Sequence, residues 1–235
     1  MNLKVIAYAH NGHTDKFGIP RQSREESPIV TRIVFEPAYS VREAVRGLEG
    51  YSHLWLIWGF SHSHPSDAPQ NSDSMEWSPT VRPPRLGGNA RMGVFATRSP
   101  FRPNPIGLSS VKLIDIQCDG KQMELLVSGA DLMDGTPIYD IKPYLSFSDS
   151  HPEALNGFAE ETKDYELEVL WDEVMTRQQV GDELVAEISY ILRQDPRPAY
   201  QDDPAREYKM DYAGWRITFC VAEGKVKVKK IEKTQ

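Results

Sequence analysis

The 235-residue sequence has little cysteine and no long hydrophobic run. Its two cysteines, Cys118 and Cys220, are too few for a disulfide framework, and no apolar run approaches the roughly 18 residues of a membrane-spanning helix. The opening residues, MNLKVIAYAHNGHTDKFG, turn polar after a few apolar positions, which is typical of a strand rather than of a signal peptide. We therefore expect a cytoplasmic protein with reduced thiols and an ordinary apolar core.

Several signatures of catalysis are also missing. The sequence contains no Gly-x-Gly-x-x-Gly or Walker-type phosphate loop and no Gly-x-Ser-x-Gly nucleophile elbow. His53, His62 and His64 lie close together, but no cysteine joins them and no third ligand stands at a familiar spacing. The sequence therefore predicts no metal site, and any nucleotide would bind without the Rossmann device.

Acidic residues are absent from one long segment, between Trp77 and Ile114, although the whole chain carries a formal net charge of -7. A segment of one charge sign within an acidic protein favours local binding of phosphate or carboxylate over general binding to polyanions. An arginine-lined loop that is merely solvated is the alternative. The basic residues of this acid-free segment (residues 77–114) are Arg82, Arg85, Arg91, Arg98, Arg102 and Lys112.

Prolines stiffen the second half of the acid-free segment, FATRSPFRPNPIGLSS. Because proline fixes φ, the prolines interspersed there hold Arg98, Arg102 and Asn104 in a stiff frame. Arginine presents a planar fork of donors that matches carboxylate or phosphate, and Phe95 and Phe101 add rings for stacking. The segment therefore predicts a site for a nucleotide-shaped anion.

Short strand-like runs dominate the first 145 residues, and a hairpin signal, Asp119-Gly120, separates two of them. A capping box, Ser40 and Glu43, predicts one helix with an apolar stripe that ends at Gly50. Many strands with one brief helix favour a small closed β-barrel over an alternating α/β sheet. The predicted strands are Leu3–Tyr8, Ile29–Phe35, Leu54–Phe60, Val111–Cys118 and Gln122–Val127.

The pattern changes near residue 150, where we expect a domain boundary. Residues 1–149 would form the barrel, and residues 150–235 a small α+β domain with a strand at Tyr165–Trp171, a helix at Gly181–Arg193 and a hairpin around Glu223-Gly224. The prolines of QDPRPAY would stop that helix. The fold class expected is thus mainly β, with an α+β appendage.

Two aspartates, Asp131 and Asp134, follow the predicted barrel hairpin in GADLMDGTPIYDIKPY. Asp134-Gly135-Thr136-Pro137 is a strong turn signal, and a turn alone would explain it. A carboxylate in this segment gains significance only if it faces the basic residues.

The run VRPPRLGGNARMGVFATRSPFRPNPIGLS, with ADLMDGTPIYDIKPY after it, resembles the TsaA/TrmO family of tRNA methyltransferases. The later QDPRPAY resembles the C-terminal region of bacterial members, so the resemblance covers roughly Leu3 to Tyr144 and reaches Tyr200. It implies an S-adenosylmethionine (SAM) enzyme built on a small β-barrel and acting as a homodimer. It also implies N6-methylation of adenosine 37 in tRNA that already carries threonylcarbamoyladenosine (t6A).

The same resemblance implies which residues contact SAM. Arg21 or Arg98 would hold its carboxylate, and Asp134 would face its ammonium or sulfonium group. Asp134, or a water bound by Asn104, is the candidate base for the N6 proton. The implied SAM contacts are Pro20, Arg21, Gln22, Ser61, His62, Arg98, Leu108, Asp134, Gly135, Thr136 and Pro137.

The remaining arginines outnumber what SAM needs, so Arg82, Arg85, Arg91 and Arg102 are expected to bind tRNA phosphates or the t6A carboxylate. Anticodon-loop RNA is single-stranded, so its bases would stack on rings, for which the candidates are Phe101, Tyr144 and Tyr200. Two alternatives stay open at this point: a non-catalytic RNA- or nucleotide-binding barrel, and a small-molecule SAM methyltransferase.

Overall fold

The computed structural model describes residues 3–20, 22–24, 26–60, 78–83, 86, 90–171, 180–197 and 203–234. Within them the helices are α1 (Arg42–Val45), α2 (Ser146–Asp149) and α3 (Asp182–Arg193), with 3₁₀ turns at Leu48–Gly50, Val94–Ala96 and Gly157–Thr162. The strands of the same residues are β1 (Ala7–His10), β2 (Val30–Phe35), β3 (His53–Gly59), β4 (Thr80–Val81), β5 (Met92–Gly93), β6 (Ile106–Asp119), β7 (Gln122–Ser128), β8 (Pro137–Pro143), β9 (Glu168–Trp171), β10 (Tyr208–Tyr212), β11 (Trp215–Ala222) and β12 (Lys225–Lys233).

A closed antiparallel barrel forms the first half of the protein, with strand order β1-β2-β7-β6-β3-β8. Side chains alternate between the interior and the surface along each strand, as the period of two requires. Leu54 and Leu56 of β3, Ile33 of β2 and Leu125 of β7 are fully buried inside. The predicted mainly β barrel is confirmed.

The strand β6 is longer than the predicted Val111–Cys118, because it begins at Ile106 inside the proline-rich segment. A register shift between Leu113 and Asp115 bends it, so one strand serves two parts of the barrel wall. The predicted hairpin is confirmed at its end, where Gly120 adopts φ 63° and Asp119 pairs with Gln122.

The predicted capping box is wrong. Ser40 does not cap a helix; its hydroxyl donates to the Lys121 carbonyl and accepts from the Met123 amide, both at 2.7 Å. This links the segment before α1 to the β6–β7 hairpin, and α1 keeps only a single turn. Gly47, with φ 92°, ends that turn before the predicted stop at Gly50.

The predicted C-terminal α+β unit is confirmed as a four-stranded sheet of order β10-β11-β12-β9, packed with α3. Its terminal hairpin turns at Glu223-Gly224, both at positive φ, which suits the twist of adjacent antiparallel strands. The helix α3 ends at Arg193, as predicted, just before the two prolines.

The loop between β1 and β2 fastens the barrel to this sheet. Phe17 stacks on Phe219 of β11 with ring centroids 6.3 Å apart, and Ile29 belongs to the buried core of the C-terminal unit. The Ala213 amide donates to the Gly12 carbonyl at 2.9 Å. Among the described residues, no helix is long and apolar enough to cross a membrane.

Candidate active site

Three chain segments meet at one end of the barrel. Trp58, near the end of β3, pairs with Gly107 of β6 on one side and with Ile138 of β8 on the other. The Phe60 amide then donates to the Pro105 carbonyl at 3.0 Å. This end, which we call the site end, therefore joins the proline-rich segment to the turn that precedes β8.

A hydrogen-bonded chain of side chains runs inward from the site end. The Trp58 indole Nε1 donates to Ser109 Oγ at 2.9 Å, and Ser109 Oγ donates to Asp131 Oδ1 at 2.5 Å. Gly107 makes room for it, since a Cβ at this position would overlap the Trp58 ring. These two hydrogen bonds fix the position of one oxygen of the Asp131 carboxylate, Oδ1.

Asp131 is the carboxylate that faces the acid-free segment. Loss of surrounding water raises the pKa of Asp131 above its ordinary value, while the Ser109 hydrogen bond and the positive charge of Arg98 oppose the rise. The site prediction did not include Asp131, Ser109 or Trp58. The place of Asp131 in the sequence was the available signal: Asp131 comes a few residues after the strand β7, and β7 pairs with β6.

Arg98 and Gln22, both predicted SAM contacts, are in direct contact. Arg98 Nη1 donates to Gln22 Oε1 at 2.6 Å. The segment around Gln22 is held against the barrel, since the Ser23 hydroxyl donates to the Ser110 carbonyl and Gly129 leaves space for the Arg24 backbone. Pro20 is buried just before it, and Arg21 lies outside the described residues.

The predicted turn at Asp134 to Pro137 also lies at the site end. The Gly135 amide donates to the Ala9 carbonyl at 2.8 Å, and Gly135 adopts φ 76°. Asp134 Oδ1 lies 3.1 Å from His10 Nδ1 and accepts from the Asn11 amide at 3.2 Å. The carboxylate of Asp134 therefore has an imidazole and a backbone amide as hydrogen-bond partners, in an open depression of about 540 Å³ that Arg32 and Glu124 also line.

The predicted RNA-binding arginines lie on a separate ribbon and its flank. Val81 of β4 pairs with Met92 of β5. Arg82, which follows Val81, and Arg91, which precedes Met92, therefore lie at the same end of the ribbon, and both are exposed. Arg91 Nε donates to Thr80 Oγ1 at 2.9 Å. Arg102 instead turns one Nη1 donor to the Thr97 carbonyl at 3.2 Å. Arg85 lies outside the described residues.

Apolar side chains are exposed between these arginines. Phe95 and Phe101 are 71% and 61% exposed, and Leu108, a predicted SAM contact on the outer face of β6, is 55% exposed. Asn104 is exposed beside Phe60's partner, Pro105. The predicted contacts Ser61 and His62 come directly after Phe60 but lie outside the described residues.

The other ring candidates differ in their surroundings. Tyr144 packs against Trp55 and His53 with ring centroids 5.4 and 6.2 Å away, so its ring is committed to the barrel wall. Tyr200 is outside the described residues. Among the residues that the structure describes, no group of three metal-ligating side chains occurs.

The fold and the site define a class: an antiparallel β-barrel protein whose site end gathers guanidinium, amide and carboxylate groups. Residues 8–150 match the family described as tRNA-methyltransferase O N-terminal domain, and residues 164–234 match the TrmO C-terminal domain. The chain belongs to the tRNA-methyltransferase O family.

Relatives match over nearly the full length. A tRNA (adenine(37)-N6)-methyltransferase from Escherichia coli (strain K12) is 40% identical over 224 residues, which cover 93% of this chain and 91% of the relative. A putative S-adenosylmethionine-dependent methyltransferase, RcsF, from Pseudomonas aeruginosa is 41% identical over 214 residues, covering 88% and 87%. A crystal structure of TrmO from P. aeruginosa matches with a TM-score of 0.76 at 30% identity, covering 100% of this chain and 97% of that one.

Proposed function

We propose that the protein transfers a methyl group from SAM to N6 of adenine 37 in tRNA, and that the adenine must already carry the threonylcarbamoyl group. The observation that carries the proposal is the contact of Arg98 with Gln22 beside Asp131 at the site end. The activity for which the E. coli relative is named supports the acceptor, and that of the P. aeruginosa relative supports the donor.

The residues at the site end fit such a donor. SAM, when bound, supplies an electrophilic methyl group on a sulfonium. Arg98 offers a planar pair of donors to a carboxylate, and its bond to Gln22 orients that pair. The Gly135 turn stands at the same barrel end. Its Asp134, Gly135 and Thr136 amides already donate to protein carbonyls, so the turn would contact an adenine edge through its carbonyl oxygens.

The acceptor is a weak nucleophile, because N6 of t6A belongs to a urea-like group that delocalises its lone pair. Holding N6 in line with the methyl group would supply much of the acceleration, since positioning alone removes several kcal/mol of a bimolecular barrier. Asp134, or a water bound by Asn104, is our candidate acceptor for the N6 proton. Asp134 suits this role only if substrate displaces His10 from its carboxylate.

The tRNA would bind on the acid-free segment. Arg82 and Arg91 at the ribbon end, with Arg85 and Arg102, would contact phosphates or the t6A carboxylate. Of the two ring candidates that the structure describes, Phe101 and Tyr144, Phe101 is the more exposed, at 61%, and would stack on an unpaired base. We further propose a homodimer that acts in the cytoplasm, with a barrel domain at 1–149 that carries the chemistry and a C-terminal domain at 150–235.

Transfer of tritium from methyl-labelled SAM into two tRNA pools, one with t6A and one without, tests the proposal. Label only in the t6A pool is expected, and a t6A-free pool that is labelled equally would refute the dependence on t6A. A tRNA with guanine at position 37 serves as the control for position. Absence of label in both pools, with S-adenosylhomocysteine (SAH) still bound, would refute the tRNA reaction and leave a barrel with another acceptor or none.

A further inference from the structure

Arg98 and Asp131 carry opposite charges at the site end, yet each binds a neutral partner. Arg98 Nη1 donates to Gln22 Oε1, and Asp131 Oδ1 accepts from Ser109 Oγ. Hydrogen bonds bring the two side chains together, because Gln22 is followed by Ser23, whose hydroxyl donates to the Ser110 carbonyl next to Ser109. The charge of Arg98 accordingly acts to lower the pKa of Asp131, but within the described part of the chain no direct ion pair joins them. A guanidinium and a carboxylate so arranged leave charge of both signs available to one ligand.

We infer that Arg98 and Asp131 together bind the amino-acid end of SAM, with Arg98 taking its α-carboxylate and Asp131 taking its α-ammonium group. This inference rests on the proposed function, because it names how the same site recognises its donor. An α-amino acid carries its two charges only two bonds apart, which matches two opposite side-chain charges that lie close without contacting each other.

Asp131 suits an ammonium group better than the predicted Asp134 does. Asp134 already has His10 at 3.1 Å and the Asn11 amide at 3.2 Å. Asp131 accepts hydrogen bonds from neutral groups only, the Ser109 hydroxyl and the backbone of Ser23 and of Asp131 itself. It has no ion-pair partner among the described residues, and its environment is short of water. A cation that binds there offsets the cost of holding an unpaired charge away from water, so the affinity gained is larger than on an open surface.

The surroundings of Asp131 also fix its direction. Ser109 is buried and is itself held by the Trp58 indole, so the hydroxyl that orients Asp131 cannot rotate freely. A preorganised carboxylate loses little rotational freedom when it binds a ligand. Asp131 is therefore the ligand-contacting residue, and Ser109 and Trp58 are positioning residues.

Calorimetry with three ligands distinguishes the binding of the α-carboxylate from the binding of the α-ammonium group. SAH carries both α-groups, decarboxylated SAH carries only the amine, and 5′-methylthioadenosine lacks the whole amino-acid part. Asp131→Asn keeps the shape and the acceptor for Ser109 but removes the charge. Asp119→Asn is the matched control, because it removes the same charge from the exposed β6–β7 turn, where Asn-Gly is an equally good pair.

We expect Asp131→Asn to weaken SAH and decarboxylated SAH by roughly tenfold to a hundredfold and to leave 5′-methylthioadenosine unchanged. Arg98→Ala should weaken SAH by a similar factor but should leave decarboxylated SAH unchanged. The control should bind all three ligands as the wild type does.

Other outcomes overturn the inference. Equal weakening of all three ligands by Asp131→Asn would make Asp131 a structural residue of the pocket. If Asp131→Asn bound SAH as the wild type does, and Asp134→Asn weakened SAH and decarboxylated SAH but not 5′-methylthioadenosine, then Asp134 would be the residue that binds the ammonium group. Failure of the wild type to bind SAH at all would instead refute the proposed function, so the two failures are distinguishable.

Discussion

Arg98 reaches across 76 residues of sequence to donate a 2.6 Å hydrogen bond to the side-chain carbonyl of Gln22. The contact joins the acid-free segment to the segment between β1 and β2, and it points the guanidinium toward the site end. Neutral glutamine orients the guanidinium without cancelling its charge, which is what an anion site needs.

Gln22→Glu tests that neutrality. A carboxylate at this position would form an ion pair with Arg98 and compete with the ligand's carboxylate, so we expect the affinity for SAH to fall about tenfold. The affinity for 5′-methylthioadenosine should not change, and calorimetry measures both. Gln22→Ala is the companion variant, because it removes the hydrogen bond that orients Arg98 without adding a charge. It should lower the affinity for SAH less than Gln22→Glu does. A larger fall in Gln22→Ala would show that the added carboxylate does not compete with that of the ligand.

The Arg82 and Arg91 pair at the ribbon end predicts an effect confined to tRNA. Replacing both by Ala should lower tRNA affinity and reduce the slope of log affinity against log salt by about 1 to 2, since each phosphate contact releases counterions. Filter binding over a salt series measures the slope. SAH affinity is the internal control, and parallel loss of SAH binding would show that the ribbon belongs to the donor site.

Gly107→Ala should disrupt the site end from within. A Cβ at this position overlaps the Trp58 ring, and the displaced indole would lose its bond to Ser109. Overpacking of this kind costs about 1 to 3 kcal/mol of unfolding free energy, and we expect SAH affinity to fall with it.

Gly93→Ala is the control for Gly107→Ala. Gly93 has an ordinary φ of -56°, and nothing lies within 4 Å of an added Cβ. Chemical denaturation should find this variant as stable as the wild type. If Gly107→Ala were equally stable and bound SAH normally, the packing of Trp58 would be irrelevant to the site.

His13 predicts a loss of stability in mild acid. Burial lowers its pKa from 6.5 to about 4, its Nε2 has no hydrogen-bond partner, and its ring packs edge-on against Tyr212. Between these pKa values the unfolded chain binds the proton and the folded protein does not. Stability is therefore lost as the pH falls from about 6.5 to about 4, by about 3 kcal/mol at most.

Comparison of the wild type with His13→Leu isolates this contribution from that of the carboxylates. The difference in unfolding free energy, measured in urea at several pH values, should shift in favour of the variant as the pH falls through that window. A constant difference from pH 7 to pH 4 would show that His13 stays neutral in the unfolded chain as well, or is charged in both states.

The regular elements were predictable because their signals are local. A continuous apolar run marked β3, and the Asp119-Gly120 and Glu223-Gly224 pairs marked their turns, since only a few residue pairs tolerate positive φ. The failure at Ser40 has the opposite cause. Its hydroxyl binds the backbone of Lys121 and Met123, some 80 residues away, and no local sequence pattern predicts such a distant partner.

The site divides in the same way. Composition and proline spacing located the basic segment that contains Arg98, and the resemblance added Gln22 and the expected contact of Arg98 with SAM. Asp131 and Asp134 stand three residues apart in one loop, so sequence alone could not say which one faces Arg98. Strand register decides it: β7 runs beside β6, which brings Asp131 to Ser109, while the turn before β8 carries Asp134 to His10.

The packing of Phe17 and Ile29 into the C-terminal core bears on the order of events during synthesis. These side chains leave the ribosome long before Phe219 and the strand β12, which complete their surroundings. Until then the loop that carries them has apolar side chains without their native cover, and the chain must close a loop of about 200 residues to bury them. The packing of the loop that precedes Gln22 is therefore complete only after the C-terminal sheet has been synthesised.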